Sequence, residues 1–306
     1  MRDLGLVDDS TLFTALLTQF TRRHTARRAA EEDPEVRNAL DEVIRRLDTN
    51  DYLQVHRVRR ALFPMGVPGE EALVSGLSSS STNIRVHCAT ILGDLGGRHA
   101  AGRLLELLKD PSPDVVDAAG WSLMRVSGKL LSFTRPGEWI EWWAGVKRDV
   151  EDEPVHAIND SAHDMEPILR DLVQENSLLD PLAVEYTVGI PEWLGGQTRM
   201  LVHGTGRVLV VNRYKDEWNF FEGRVPEADL RAFLWTVSDR NMLHVGSERT
   251  LGATNESVHE VALRVGARHR CTSFLWYGEL GRCPSFTAAE AHLRRILKFI
   301  TRGRVW

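Results

Sequence analysis

The sequence predicts an α+β chain: an N-terminal all-α solenoid followed by a small antiparallel α+β domain. Two observations predict the first part. "NIRVHCATILGDLG" at 83–96 aligns with "DVVDAAGWSLMRVS" at 114–127 at an offset of 31 residues, and Leu73 and Leu77 fall on Leu104 and Leu108 at that same offset. A looser copy, "VHRVRRALFPMG" at 55–66, lies about 30 residues upstream. A fixed repeat period is the signature of stacked supersecondary units. The third observation is a change of texture near residue 181, where short β-rich runs replace the helical period. A length of 306 residues accommodates two domains, here residues 1–150 and 181–306, joined by 151–180.

Each repeat reads as helix, short turn, helix. In the clearest unit, Leu104, Leu105, Leu107 and Leu108 line the first helix, and Asp110-Pro111-Ser112-Pro113 forms the turn. Asp114 favours the start of the second helix, where Val115, Ala119, Leu123 and Val126 recur at helical spacing. Upstream, "LFTALLTQFTRRH" and "VRNALDEVIRRLD" within 10–47 predict one more helical pair. Residues 148–164, "RDVEDEPVHAINDSAHD", are acidic, polar and aperiodic, which reads as a linker, with "MEPILRDLVQENSLL" a bridging helix. Two hairpins are expected next. One breaks at His203-Gly204-Thr205-Gly206 and the other turns at Gly266-Ala267. "VPEADLRAFLWTVSDRNML" and "TAAEAHLRRILKFITRG" supply two helices, giving the order strand, strand, helix, strand, strand, helix.

The segments "LLELLKDPSPDVVDAAGWSL" and "TNIRVHCATILGDLG" resemble the HEAT-repeat family, in the bacterial pattern "L..LL.D..P.VR..AA.AL..L", over about residues 50–145. Two positions depart from it. The basic residue after the turn is Arg85 in one unit but Val116 in the next, and Gly120 replaces a packing alanine. The ending "SGKLLSFTRPGEWIEWW" is similar to the close of bacterial HEAT arrays. Trp139, Trp142 and Trp143 stand at i, i+3 and i+4, one stripe of a helix. The last repeat has no successor to cover its apolar flank, so the three indoles are expected to cap it rather than cage a ligand.

Composition narrows the function classes. A net charge of −5 argues against a dedicated nucleic-acid binder. The Arg-rich "RRHTARR" at 22–28 is balanced by "EEDPE" directly after it. Cys88, Cys271 and Cys283 are odd in number and lack metal-ligand spacing, which fits free thiols in a reducing compartment. No signal peptide and no apolar run of about 18 residues are read, so a soluble cytoplasmic protein is expected. Phosphate-binding, zinc-protease and nucleophile-elbow motifs are absent. "GTGR" at 204–207 lies between strands and reads as a turn. His259-Glu260 is a lone pair in a strand, and His259, His269, Cys271 and Cys283 match no zinc framework. No metal and no cofactor are expected.

The HEAT resemblance implies that the second helix of each unit lines a concave face. On that face the repeat offset stacks Trp121 on Thr90 and near Arg60, Arg125 on Asp94, and Asp117 on Val86. An indole beside Arg125 and one turn after Asp117 has the make-up of an interface hot spot, with Arg60, His87 and Arg125 as rim contacts and Arg57 in the same partner-binding set. Two outcomes stay open: Trp121 anchors a partner, or it folds down against the linker or the second domain. The expected function is a non-enzymatic protein-binding adaptor, inhibitor or immunity-type protein. The alternative is a HEAT-type enzyme, a chromophore lyase or a DNA glycosylase with Asp117 in a basic groove.

Overall fold

In a computed structural model of the chain, residues 34–95, 100–150, 155–174, 177–190, 197–215, 217–247 and 256–305 are described. The segments "LFTALLTQFTRRH" and "RRHTARR" lie outside them. Helix α1 (Pro34–Arg45) leads into the repeats. The second helices of the three units are α2 (Tyr52–Leu62), α4 (Thr82–Leu95) and α6 (Pro113–Ser127). Between them lie α3 (Val67–Gly76) and α5 (Ala101–Leu107). The Asp51 carboxylate caps α2, accepting from the backbone N–H of Leu53 at 3.0 Å and Gln54 at 3.2 Å. The turns between units are tied by charge as well. Arg85 grips Asp110 of the next turn through Nε at 2.9 Å and Nη2 at 3.0 Å, a fork that lysine could not reproduce.

Small residues set how closely the second helices approach. The Ser122 hydroxyl of α6 donates to the Ala89 carbonyl of α4 at 2.7 Å, directly over Gly93, where a Cβ would collide with Ser122. Gly120 has an equally concrete cause. The fully buried Phe133 ring occupies the space its Cβ would need, so glycine at this position is a packing adjustment. Helix α7 (Pro136–Val150) follows. Trp139 is completely buried and donates through Nε1 to the Ser132 carbonyl at 3.0 Å. Trp142 meets Trp139 edge-on at 6.0 Å, and the half-buried Trp143 lies over Gly102 of α5. The tryptophan stripe thus seats α7 on the last repeat.

Among the described residues, the rest of the chain contributes a seven-stranded sheet in the order β1-β7-β6-β2-β3-β4-β5. Its strands are β1 (Asn159–Asp160), β2 (Leu182–Gly189), β3 (Gln197–His203), β4 (Arg207–Tyr214), β5 (Glu217–Arg224), β6 (Val258–Val265) and β7 (His269–Trp276). Among the described strands only β1 pairs in parallel, with β7; the other pairings are antiparallel. Both expected hairpins are present, as β3–β4 and β6–β7, but the expectation that they make up the sheet is corrected. "EWNFFEGR" is a further strand, and the segment read as linker contributes the edge strand β1. The three helices on the far side are α8 (Ala162–Val173), α9 (Glu227–Asp239) and α10 (Pro284–Thr301).

Strand alternation divides the sheet's side chains between two cores. Leu182, Val184, Tyr186, Met200, Val202, Val208 and Val210 pack with Leu230, Phe233 and Leu293 of the far helices. Their neighbours Ala183, Leu201, Leu209 and Val211 join the core of the repeats, together with Trp218 and Phe220. The sheet is therefore a middle layer, covered by repeats on one face and by three helices on the other.

Two outcomes test this packing. Gly120→Ala forces a methyl against Phe133 and should cost about 1–3 kcal/mol in urea unfolding, whereas Gly137→Ala, with open space around it, should be near neutral. Burial also raises the thiol pKa of Cys88 and pushes that of Cys271 up to about 12, while Cys283 is half-buried. An aromatic disulfide reagent should then titrate Cys283 alone in native protein and all three thiols after denaturation.

Candidate functional site

The face presented by α2, α4 and α6 is polar, and the sheet face against it is polar in the complementary sense. Helix α4 supplies Asp94, which is 1% exposed. Its carboxylate is bound by Arg125 of α6, lies 3.0 Å from Arg270 Nη2 of β7, and 3.6 Å from Arg59 Nη1 of α2. Arg125 reaches across to Glu185 of β2, with Nη2 at 2.7 Å and Nε at 3.1 Å, a bidentate pair. Arg59 makes a similar fork on Glu260 of β6, at 3.2 and 3.4 Å. The Tyr52 hydroxyl donates to the same Glu260 carboxylate.

A second cluster lies one strand over. Asp117 of α6 is fully buried and accepts from Arg199 of β3 and from Trp218 Nε1 of β5 at 2.7 Å. Arg213 of β4 joins it through Asp114, at 2.7 Å. The Arg199 guanidinium also lies over the Trp121 ring, 5.0 Å from its centroid, so the indole is stacked from the sheet side.

Electrostatics follow from this geometry. Burial alone would raise the Asp94 carboxyl, but Arg125, Arg270 and Arg59 hold it well below the usual carboxylate range. Glu185 is lowered against its burial by Arg125 and Arg270. Arg125 is raised: burial opposes the charge, and Asp94 and Glu185 overcome it. Arg199 shifts the other way, lowered by burial despite Asp117. At neutral pH Asp94, Glu185 and Arg125 are therefore charged and compensate one another. Buried ion pairs of this kind need not exceed a hydrophobic substitute in stability, but removing one member leaves the others stranded.

The residues expected at a partner surface thus divide into two sets. Trp121, Asp117 and Arg125 are 3%, 0% and 4% exposed, because the chain's own sheet covers them. The expectation of an exposed hot-spot indole is corrected on that ground, in favour of the indole folded down on the second domain. Arg57 and Arg60 remain exposed, and Arg60 donates to the Asp160 carbonyl of β1 at 3.1 Å. His87 is half-buried and bonds the Thr49 carbonyl through Nε2 at 3.0 Å; burial lowers its pKa. Sequence reasoning missed Glu185, Arg199 and Arg270, and read Glu260 only as half of a lone His–Glu pair. The available signal was a charge on each of these strands at a position opposite its apolar set. Asp117 is sealed by Arg199 and Trp218, so it does not floor an open groove of the glycosylase kind. Among the described residues, no group of three or more His, Cys, Asp or Glu could hold a metal ion, and no helix is long and apolar enough to cross a membrane.

Removing the central charge should be costly. Asp94→Ala leaves buried guanidiniums uncompensated and should cost about 3–5 kcal/mol in chemical unfolding. The pH sign is also fixed. A carboxyl depressed by folding contributes stability that is complete above its unfolded value, about 4, and that is lost as pH falls toward its folded value. Asp94→Asn should therefore flatten the decline of thermal stability below pH 4 relative to the unsubstituted chain; an unchanged acid limb would contradict the charge balance.

A family model for HEAT repeats matches residues 70–131. The match runs from α3 through α6 and includes Asp94, Asp117, Trp121 and Arg125. No curated protein matches the chain. Residues 70–131 are thus similar to HEAT repeats, within an α+β chain whose helical region is followed by a largely antiparallel sheet region.

Proposed function

We propose that the chain is an interaction protein in which a short HEAT solenoid scaffolds the binding of another protein. HEAT repeats serve in general as interaction scaffolds, and residues 70–131 match that class. One observation carries the reading. The second-helix face already engages a polypeptide surface through matched charges, and that surface is the chain's own sheet. The repeats therefore act first within the chain, fixing the sheet's position, and a partner meets an outer surface of the assembled layers. Exposed Arg57 and Arg60, at the edge where α2 passes β1, are the anchors we assign to that contact. Free cysteines suit a reducing cytoplasm as its setting. An enzymatic reading built on Asp117 has no open site to support it.

The test is chemical crosslinking of tagged protein in its native cells, followed by peptide mapping. A discrete protein partner should be recovered in near-stoichiometric amount, with crosslinks near Arg57 and Arg60. Capture should fall at least tenfold in Arg57→Glu/Arg60→Glu, whose melting temperature stays near that of the parent. Recovery of the chain alone, or crosslinks placing a partner on Trp121 and Arg125, would overturn the proposal.

A further inference from the structure

A polar cluster on the other face of the sheet is not used by the scaffold. Residues two apart on a strand share a face, so Ser257, just before β6, and His259 within it stand side by side toward the far helices. Helix α10 brings Glu290 beneath them. His259 Nδ1 lies 2.5 Å from Glu290 Oε1, and His259 Nε2 lies 3.1 Å from Ser257 Oγ. His259 and Glu290 are 1% and 2% exposed, and Ser257 is half-buried. Since a carboxylate only accepts, Nδ1–H donates to Glu290, which leaves the Nε2 lone pair to accept the Ser257 hydroxyl.

We propose that Ser257, His259 and Glu290 form a nucleophilic relay that accepts an acyl group from an ester at Ser257. A nucleophile, a base within hydrogen-bond reach, and a third group orienting that base define this chemistry by geometry, whatever the fold. Glu290 is fixed in its role: Tyr186 donates to it at 2.6 Å and Arg294 Nε at 3.1 Å. Burial would raise its carboxyl, but the bonds from His259 and Tyr186 outweigh that and hold it below the usual range, so it stays ionised beside the imidazole. Tyr277, 63% exposed, lies 6.0 Å from the His259 ring and offers an aromatic wall at the solvent side for an acyl group. In the transfer step, Ser257 Oγ bonds the ester carbonyl carbon while its proton passes to His259 Nε2. The carbon–oxygen bond to the alcohol then breaks, and the leaving oxygen takes that proton. Water, deprotonated by the same nitrogen, releases the acid and restores the hydroxyl. This inference is independent of the scaffold reading, and either can fail alone.

The experiment is incubation of the full chain with a fluorophosphonate, read by intact mass and peptide mapping. In that reaction the Ser257 Oγ–phosphorus bond forms, the phosphorus–fluorine bond breaks, the proton goes to His259 and fluoride leaves. One adduct per chain is expected, mapping to Ser257. It should be lost in Ser257→Ala, a mild change at a half-buried position. It should form at least tenfold more slowly in Glu290→Gln, with folding checked by circular dichroism. A p-nitrophenyl ester should give a matching burst in the parent chain and none in Ser257→Ala. No adduct, an adduct on another residue, or equal labelling of Ser257→Ala would overturn the relay; peptide mapping of the parent chain decides this even if a buried variant fails to fold.

Discussion

Asp94 holds one carboxylate among guanidiniums from three separate elements, Arg59 on α2, Arg125 on α6 and Arg270 on β7. Through Arg125 and Arg59 the same network reaches Glu185 on β2 and Glu260 on β6. The docking of sheet on repeats is built around this arrangement. Apolar contact alone would let two faces slide, since it is non-directional. A bidentate guanidinium–carboxylate pair fixes angle as well as distance, so Arg125 on Glu185 and Arg59 on Glu260 set the register of strands over helices. The charges are tolerated only because the apolar rim, Leu201, Leu209 and Val211 against the repeats, excludes water and each ion has a partner.

The same constraint explains why a surface that resembles a partner site is not one here. The repeat register rightly stacks Trp121, Asp117 and Arg125 along one face, and that face does meet a polypeptide. The polypeptide is Arg199, Trp218 and Glu185 of the same chain. A hot spot and an intramolecular docking patch share their chemistry: a desolvated aromatic, an arginine and a buried carboxylate. Only the tertiary arrangement distinguishes them.

Much of the fold was legible residue by residue. The 31-residue offset finds α4 and α6. Leucine spacing finds α5, and the amphipathic run ending "LRRILKFIT" finds α10. The break at Gly204 and the turn at Gly266 mark the hairpins β3–β4 and β6–β7. Three things were not legible, each for a physical reason. Strand β5 carries charges at both ends of "EWNFFEGR", which masks its alternation. Strand β1 is two residues long and exists only because β7 offers an edge to an acidic segment. The third concerns the site: charges such as Glu185, Arg199, Glu260 and Arg270, one on each of four strands and opposite the apolar set, normally mean a solvated sheet face, and period-two patterning cannot tell water from a charged partner layer. A small register error mattered as well, because an offset of 31 from Thr90 lands on buried Arg59 and not on exposed Arg60.

Charge pairing across the layer boundary, and not apolar contact alone, seats the sheet on the repeats. A double-mutant cycle on Arg125 and Glu185, with Arg125→Met, Glu185→Gln and the double variant followed by urea unfolding, measures it directly. The account predicts a coupling of about 1–3 kcal/mol, the double variant being more stable than the two single losses combined would allow. Additivity within about 0.5 kcal/mol would contradict it.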